Sequence, residues 1–209
     1  MSMRQLVLEI APPLTPAFAN FVTGDNAELV SRLQGVATGA PGEAVVYLWG
    51  EPGCGRSHLL QATREAAADP GRLWIADDVE RLDADAQVDL FNRINAARES
   101  GTTVLAAGPC PPAALGLRED LRSRLGWGLV YQVRPLSDEQ RAVYLRDEAA
   151  RRGLRISDEV IWYLLGQVRR DLPSLVALMA HLDGYSLSHQ RPLTVPLVRN
   201  ALAELEAPA

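Results

Sequence analysis

The pattern of apolar and polar residues up to about residue 135 alternates short apolar runs with amphipathic segments. Each apolar run is short and bounded by glycine or charged residues, which is typical of strands buried on both faces of a sheet. The predicted strands are 44–49, 72–76, 102–106 and 129–133. Alternating strands and helices predict a parallel sheet with helices on both faces, and therefore an α/β domain.

Helices are predicted between these strands: one after Asn26, one from Ser57 that fades by Asp69, and one over 85–99. The helix over 85–99 is predicted to be amphipathic, with Val88, Phe91, Ile94 and Asn95 at helical spacing. Small residues between Gly35 and Gly42 predict a flexible connector before the first strand.

The pattern after Pro135 predicts helices only. The sequence S-D-E-Q from Ser137 forms a capping box, and Ser157 and Thr194 precede two further helices. Prolines keep the start of the chain out of a helix. We therefore expect an extended tail over 1–12, an α/β domain over 13–135 and a small helical domain over 136–209.

Composition and charge exclude several classes of protein. The 209 residues are 47% hydrophobic and 22% charged, as in an ordinary globular protein with its own core. No apolar run approaches the ~20 residues of a membrane helix, and the N-terminus lacks the apolar core of a secretion signal. Two widely separated cysteines, Cys54 and Cys110, fit a reducing compartment, so a cytoplasmic location without membrane contact is expected.

The net charge is −5, and all 21 basic residues are arginine. No short segment is strongly basic, although binding to duplex DNA depends mainly on cations that contact its phosphates. We therefore do not expect this chain to bind specific DNA by itself.

A glycine-rich segment, Gly50 to Ser57, joins the first predicted strand to a helix. Its spacing, G-x-x-x-x-G-R-S, suits a loop whose amides surround a phosphate at a helix N-terminus. The predicted nucleotide-binding residues of this loop are Gly53, Cys54, Gly55, Arg56 and Ser57, and the Ser57 hydroxyl suits Mg²⁺. Lysine is usual where Arg56 stands, and the larger, planar guanidinium predicts phosphate binding with slow hydrolysis. The alternative is a glycine-rich turn without a ligand.

Two carboxylates, Asp77 and Asp78, follow the second predicted strand. At the carboxyl edge of the sheet, Asp77 would hold Mg²⁺ through water, and Asp78 would orient or activate the attacking water. The alternative is a strand that ends in an acidic turn.

The chain resembles the DnaA-related AAA+ family, and most closely its Hda branch of regulators. The similar segments, in chain order, are 18–26, the phosphate loop continuing into His58-Leu59-Leu60, an arginine-finger box over 118–128, and the sensor-2 motif Arg170-Asp171-Leu172. The resemblance covers nearly the whole chain. It implies an AAA+ P-loop sheet flanked by helices, followed by a small all-α lid.

The resemblance also implies roles for individual residues. Phe21, Val22 and His58 would join the nucleotide site, and Arg170 would contact the nucleotide from the lid. Arg124 would reach a nucleotide held by a neighbouring protein, as an arginine finger. The alternative for each arginine is a surface ion pair, for example Arg122 with Glu119, and such pairs contribute little stability.

The tail segment Q-L-V-L-E-I resembles the peptide that inserts into a groove of the β sliding clamp. Gln5 would supply amide hydrogen bonds, and Leu6, Leu8 and Ile10 would supply apolar contacts. The alternative is an ordinary edge strand.

The sequence departs from the family pattern in two places. The third strand ends in A-A-G-P at Gly108, where a polar side chain usually helps to position water. The interval from Ser57 to Asp77 is also too short for the strand and helix that the family places there. We therefore predict a four-stranded sheet that lacks one strand–helix unit.

Together these features predict a regulator that holds ADP or ATP with Mg²⁺ and binds the β sliding clamp. It would stimulate hydrolysis of ATP bound to the DnaA initiator, with weak or no ATPase activity of its own. The alternatives are an autonomous AAA+ ATPase or loader-type subunit, and an adaptor without nucleotide. Self-association is left open.

Overall fold

The computed structural model describes residues 15–167, 172–189 and 193–206. The chain divides after Pro135 into two compact units, one built around a sheet and one helical. The sheet unit holds four parallel strands, β1 Val45–Trp49, β2 Leu73–Ala76, β3 Thr103–Gly108 and β4 Leu129–Gln132. The strands lie in the order β2-β3-β1-β4.

The four-stranded sheet confirms that one strand–helix unit is missing. Only a short 3-10 turn, Pro70–Arg72, precedes β2 after the phosphate-loop helix has ended. Among the described residues, strand β2 pairs with β3 alone and therefore forms one edge of this sheet.

The helices of the sheet unit are α1 Ala27–Ala37, α2 Arg56–Glu65, α3 Ala84–Ser100 and α4 Glu119–Leu125. Helix α1 continues through Gly35 and Val36, so the prediction of a connector from Gly35 was wrong for those residues. A helix tolerates one glycine when the residues around it are well packed, here Leu33 and Ala37.

The buried face of α3 also differs from its prediction. The buried residues are Leu90, Ile94 and Ala97, whereas Val88 is 38% exposed. These three positions follow the i, i+4, i+7 spacing of one helix face, and Val88 lies off that face. The small residue Ala97 occupies part of the stripe that packs on the sheet.

The strand β1 contributes to a core on each side of the sheet. Val45 and Tyr47 point into a cluster with residues of α3 and α4, and Val46 and Leu48 point into a cluster with α1 and α2. This alternation is the two-residue period of a strand buried on both faces. Because the second cluster includes Leu59 and Leu60, both almost fully buried, it fixes α2 and the loop before it.

The helical unit contains α5 Asp138–Arg151, α6 Asp158–Gln167, α7 Leu172–His189 and α8 Val195–Glu206. The predicted capping box is confirmed: the Gln140 amide donates to Ser137 Oγ (3.2 Å), and the Ser137 amide donates to Gln140 Oε1 (2.8 Å). The unit has its own core, which includes Leu145, Leu164, Leu175, Met179 and Val198. Within the described residues, no helix combines the length and apolar character needed to cross a bilayer.

Candidate functional site

The phosphate loop curls back at Gly55, the N-cap of α2, whose φ is +101°. A side chain there would be strained, and its Cβ would lie 2.8 Å from Cε2 of Phe21, so the position requires glycine. Among the described residues, the amides of Gly55, Ser57 and His58 donate to no backbone carbonyl. The loop therefore presents free N–H groups at the positive end of a helix, the arrangement that binds a phosphate.

Arg56 places a cation in this loop without a counter-ion among the described residues. Its Nη1 atom is buried and has no hydrogen-bond partner there. Burial raises the pKa of the neighbouring Cys54 thiol, and the Arg56 amide and charge partly oppose that rise. A buried N–H group without an acceptor costs free energy, and a bound phosphate oxygen would satisfy it. The donor set therefore fits a diphosphate.

The segment before α1 covers one side of the loop. The Phe21 ring lies beside Gly55, with its centroid 5.5 Å from that of His58, and Val22 is half-buried. The His58 Nε2 atom is 3.0 Å from the carbonyl oxygen of Ala17. The structure thus brings Phe21 and His58 to the phosphate loop.

Asn26 has an anchoring role that the sequence analysis missed. Its side chain is buried, donates from Nδ2 to the Arg134 carbonyl (2.9 Å), and accepts from the Arg134 amide at Oδ1 (2.8 Å). This paired contact ties the segment that holds Phe21 to the end of β4. The only sequence signal was an asparagine directly before a helix, which predicts a cap and not a contact distant in sequence.

Asp77 and Asp78 lie at the carboxyl edge of the sheet, but they follow β2, which is not adjacent to β1. Strand β3 separates β2 from β1, so the end of β3 at Gly108 lies between Asp77 and the phosphate loop. Asp77 is exposed and accepts from the Asp78 amide (2.9 Å). Asp78 has φ +47°, and its Oδ2 is 3.6 Å from Arg81 Nη1.

The end of β3 is occupied by a side chain from β1. A Cβ built on Gly108 would lie 2.2 Å from the hydroxyl oxygen of Tyr47, which donates to the Cys110 carbonyl (2.9 Å). Burial holds the pKa of Tyr47 far above its usual range, so the hydroxyl stays protonated. Residue 108 therefore has no side chain because the large side chain of Tyr47, on the neighbouring strand β1, fills that space.

Replacing Gly108 by alanine is expected to lower the free energy of unfolding by about 1–3 kcal/mol, the usual cost of overpacking. In a Tyr47→Phe background the clash with the hydroxyl is gone, so the same substitution should cost less. Urea titrations of the wild type, the two single variants and the double variant would measure the difference between the two costs. Equal costs in both backgrounds would show that the Tyr47 hydroxyl does not set the size of residue 108.

Alkylation of Cys54 is expected to be slow and to become slower with ADP and Mg²⁺. The raised thiol pKa lowers the fraction of reactive thiolate, and a ligand in the loop would cover the sulfur. A Cys110→Ser variant leaves Cys54 as the only thiol, and mass spectrometry at pH 8 would follow its reaction with iodoacetamide. A rate unaffected by saturating ADP would place the nucleotide away from this loop.

The predicted arginine-finger box forms α4 and the turn after it. At its start, Arg118 Nη2 donates to Asp120 Oδ2 (2.7 Å). Arg122 forms no ion pair with Glu119 among the described residues; its Nη1 donates to the Ala113 carbonyl at 3.5 Å. The central carbon of the Arg124 guanidinium lies 3.4 Å from the ring centroid of Trp127. The three arginines thus have different environments.

Five predicted site residues lie outside the described residues: Gln5, Leu6, Leu8, Ile10 and Arg170.

The helical unit contains a cavity of about 720 Å³, lined by Leu154, Ile156 and Leu193 among others. Of the predicted nucleotide-binding residues that the structure describes, none lines this cavity.

Several solved structures have a similar fold. The crystal structure of domain III from the Thermotoga maritima replication initiation protein DnaA has a TM-score of 0.74 at 21% identity, covering 94% of this chain and 100% of that chain. AMPPCP-bound DnaA from Aquifex aeolicus has a TM-score of 0.67 at 19% identity, with 84% and 69% covered. A Thermotoga maritima RuvB structure has a TM-score of 0.69 at 14% identity, with 91% and 72% covered.

The parallel sheet, the glycine-rich phosphate loop and these neighbours define an AAA+ fold with a helical lid and a shortened sheet. Residues 138–202 match the family model described as "Hda, lid domain". The fold is therefore that of AAA+ proteins such as DnaA domain III, and the helical unit is similar to the lid domain of Hda.

Proposed function

We propose that this chain is a regulator of replication initiation that stimulates hydrolysis of ATP held by the DnaA initiator. The observation that carries the proposal is Arg124, a half-buried arginine that forms no ion pair within the described part of the chain. A guanidinium with free donors suits a phosphate on another molecule. The match of residues 138–202 to an Hda lid supports the same partner.

In this proposal Arg124 acts on a nucleotide of the partner. Water attacks the γ-phosphorus of the initiator's ATP, the bond to the ADP oxygen breaks, and ADP and phosphate are left on the initiator. Negative charge spreads over the γ-phosphoryl oxygens in the transition state, and the guanidinium would donate hydrogen bonds to them. Arg124 is therefore proposed as a catalytic residue that this chain supplies in trans.

The chain's own loop would hold ADP or ATP with Mg²⁺ as a structural ligand. The bound group would supply phosphate charge for Arg56 and acceptors for the free amides of Gly55, Ser57 and His58. Ser57 and Asp77 are exposed oxygen donors of the kind that Mg²⁺ prefers, directly or through water.

The surroundings of the loop favour weak intrinsic hydrolysis. Tyr47 fills the space at Gly108, and the Asp78 carboxylate lies near Arg81, so neither position offers a free group to orient water. An autonomous ATPase would require one of them. Turnover by the isolated chain at high concentration tests this alternative.

The segment from Gln5 to Ile10 is proposed to bind the β sliding clamp. Tethering both proteins to one clamp on DNA would raise their effective concentration, so a weak contact between Arg124 and the initiator would suffice.

The direct test is hydrolysis of initiator-bound ATP on clamp-loaded DNA, with and without this chain. We expect stimulation by the intact chain, and much less by a Gln5→Ala, Leu8→Ala variant whose ADP binding is unchanged. Absence of stimulation by a chain that binds the clamp would contradict the proposed function.

A further inference from the structure

We infer that Trp127 is a positioning residue for Arg124: its indole face holds the guanidinium in an orientation that leaves the N–H donors free for a partner's phosphate. This inference rests on the proposed function, in which Arg124 contacts the nucleotide of the initiator. It adds a residue to that site and a physical reason for its geometry.

The contact is a close stack. The central guanidinium carbon of Arg124 is 3.4 Å from the Trp127 centroid, van der Waals distance for a cation lying on an aromatic face. The Phe91 ring, 5.4 Å away, adds a second aromatic neighbour. The Arg124 Nε atom is buried and has no hydrogen-bond partner among the described residues.

The backbone fixes Trp127 on both sides. Its amide donates to the Arg124 carbonyl (3.2 Å) at the end of α4, and two residues later Leu129 pairs with Val46 of β1. The indole is nevertheless 54% exposed, unusual for a tryptophan that only fills a core. The backbone of Trp127 is thus anchored on both sides, while much of its side chain stays at the surface beside the Arg124 guanidinium.

A stack and an ion pair affect an arginine differently. An ion pair uses N–H donors and offsets the charge, as Asp120 does for Arg118 in the same box. A stack restricts the side chain through the ring face, and the donors in the guanidinium plane stay free. Since Arg side chains lose about 2 kcal/mol of rotamer entropy when fixed, a preformed orientation favours the productive contact.

The surroundings also suit an anionic partner group. The Arg98 guanidinium carbon lies 5.8 Å from the Trp127 centroid, so two cations flank this exposed ring. A triphosphate matches that charge, whereas a basic or neutral protein surface does not.

The test compares Trp127→Phe, which keeps an aromatic face, with Trp127→Leu, which keeps apolar volume only. In the initiator ATPase assay, Trp127→Leu should lower the maximal stimulated rate by on the order of 10-fold, as loss of one cation–π contact predicts. Trp127→Phe should retain most of it. The concentration for half-maximal stimulation should change little, because clamp binding sets it. Equal activity of the two variants would overturn the inference.

A second readout does not depend on the initiator. In NMR spectra of the intact protein, the Arg124 side-chain signals should show a ring-current shift that Trp127→Leu removes. Arg124→Lys identifies these signals. An unshifted wild-type spectrum would overturn the inference even if Trp127→Leu failed to fold.

The two hypotheses fail in different ways. Full stimulation by Arg124→Ala would contradict the proposed function itself. Loss of stimulation in Arg124→Ala with full stimulation by Trp127→Leu would leave the proposed function in place and remove the role of Trp127.

Discussion

Replacing Arg124 by alanine is expected to abolish stimulation of ATP hydrolysis by the initiator. Where arginine fingers have been removed, rates fall by on the order of 10³–10⁵, because no other group supplies the same charge and donors in the transition state. Arg124 forms no ion pair among the described residues, so its replacement removes its contacts with Trp127 and Phe91 but no salt bridge, and the variant should still fold. The measurement is the single-turnover rate on clamp-loaded DNA.

Two further variants test whether the effect depends on the guanidinium of Arg124 and not on positive charge in general. Arg124→Lys keeps the charge but loses the planar fork, and we expect it to recover only a small part of the rate. Arg32→Ala removes an exposed arginine from α1 and should be neutral. If Arg32→Ala reduced stimulation as much as Arg124→Ala, general charge attraction would account for the effect.

Replacing Arg56 by alanine is expected to remove most of the stabilisation by ADP. A ligand at a hundred times its dissociation constant adds about 2.7 kcal/mol to the free energy of unfolding. Loss of a charged hydrogen bond costs about 1.5–3 kcal/mol of binding, so at the same ADP concentration the variant should gain only about 0.3–1.3 kcal/mol. Without ADP the substitution should not destabilise the chain, because Nη1 has no partner within the described residues.

Arg64→Ala is the matched control, since Arg64 is an exposed arginine on the same helix and should keep the full response to ADP. Thermal and urea unfolding with and without ADP and Mg²⁺ would measure all three proteins. A wild-type chain without any response would favour an adaptor that does not bind nucleotide.

The sheet was predictable because its signals are local. Each strand is a short apolar run between breakers. The missing unit was predictable only by comparing the short interval after Ser57 with the family pattern. The buried face of α3 was harder to predict from the sequence, because Val88 and Leu90 are equally apolar and only packing on the sheet distinguishes them. The helical glycine Gly35 was misassigned for a similar reason, because its tolerance depends on buried neighbours.

The candidate site was predictable where backbone geometry dictates residue type, as at Gly55. It was not predictable where side chains from distant elements meet. The Tyr47 hydroxyl at Gly108, the Asn26 pairing with Arg134 and the Arg124 stack on Trp127 all arise from tertiary packing. The family resemblance predicted that Arg124 reaches a neighbouring protein, but it did not predict the aromatic ring beside which Arg124 lies.

The strand order also has a consequence for how the chain folds during synthesis. Strand β1 is made first, yet its partners β3 and β4 come later, with Val45 facing Val104 and Val46 facing Leu129. Strand β2 likewise pairs only with β3 in the part of the chain that the structure describes. Contacts between residues so distant in sequence form slowly, because a long loop must close first. Until β3 has been synthesised, β1 and β2 have no partner strand among the described residues, because both pair with β3 in the finished sheet.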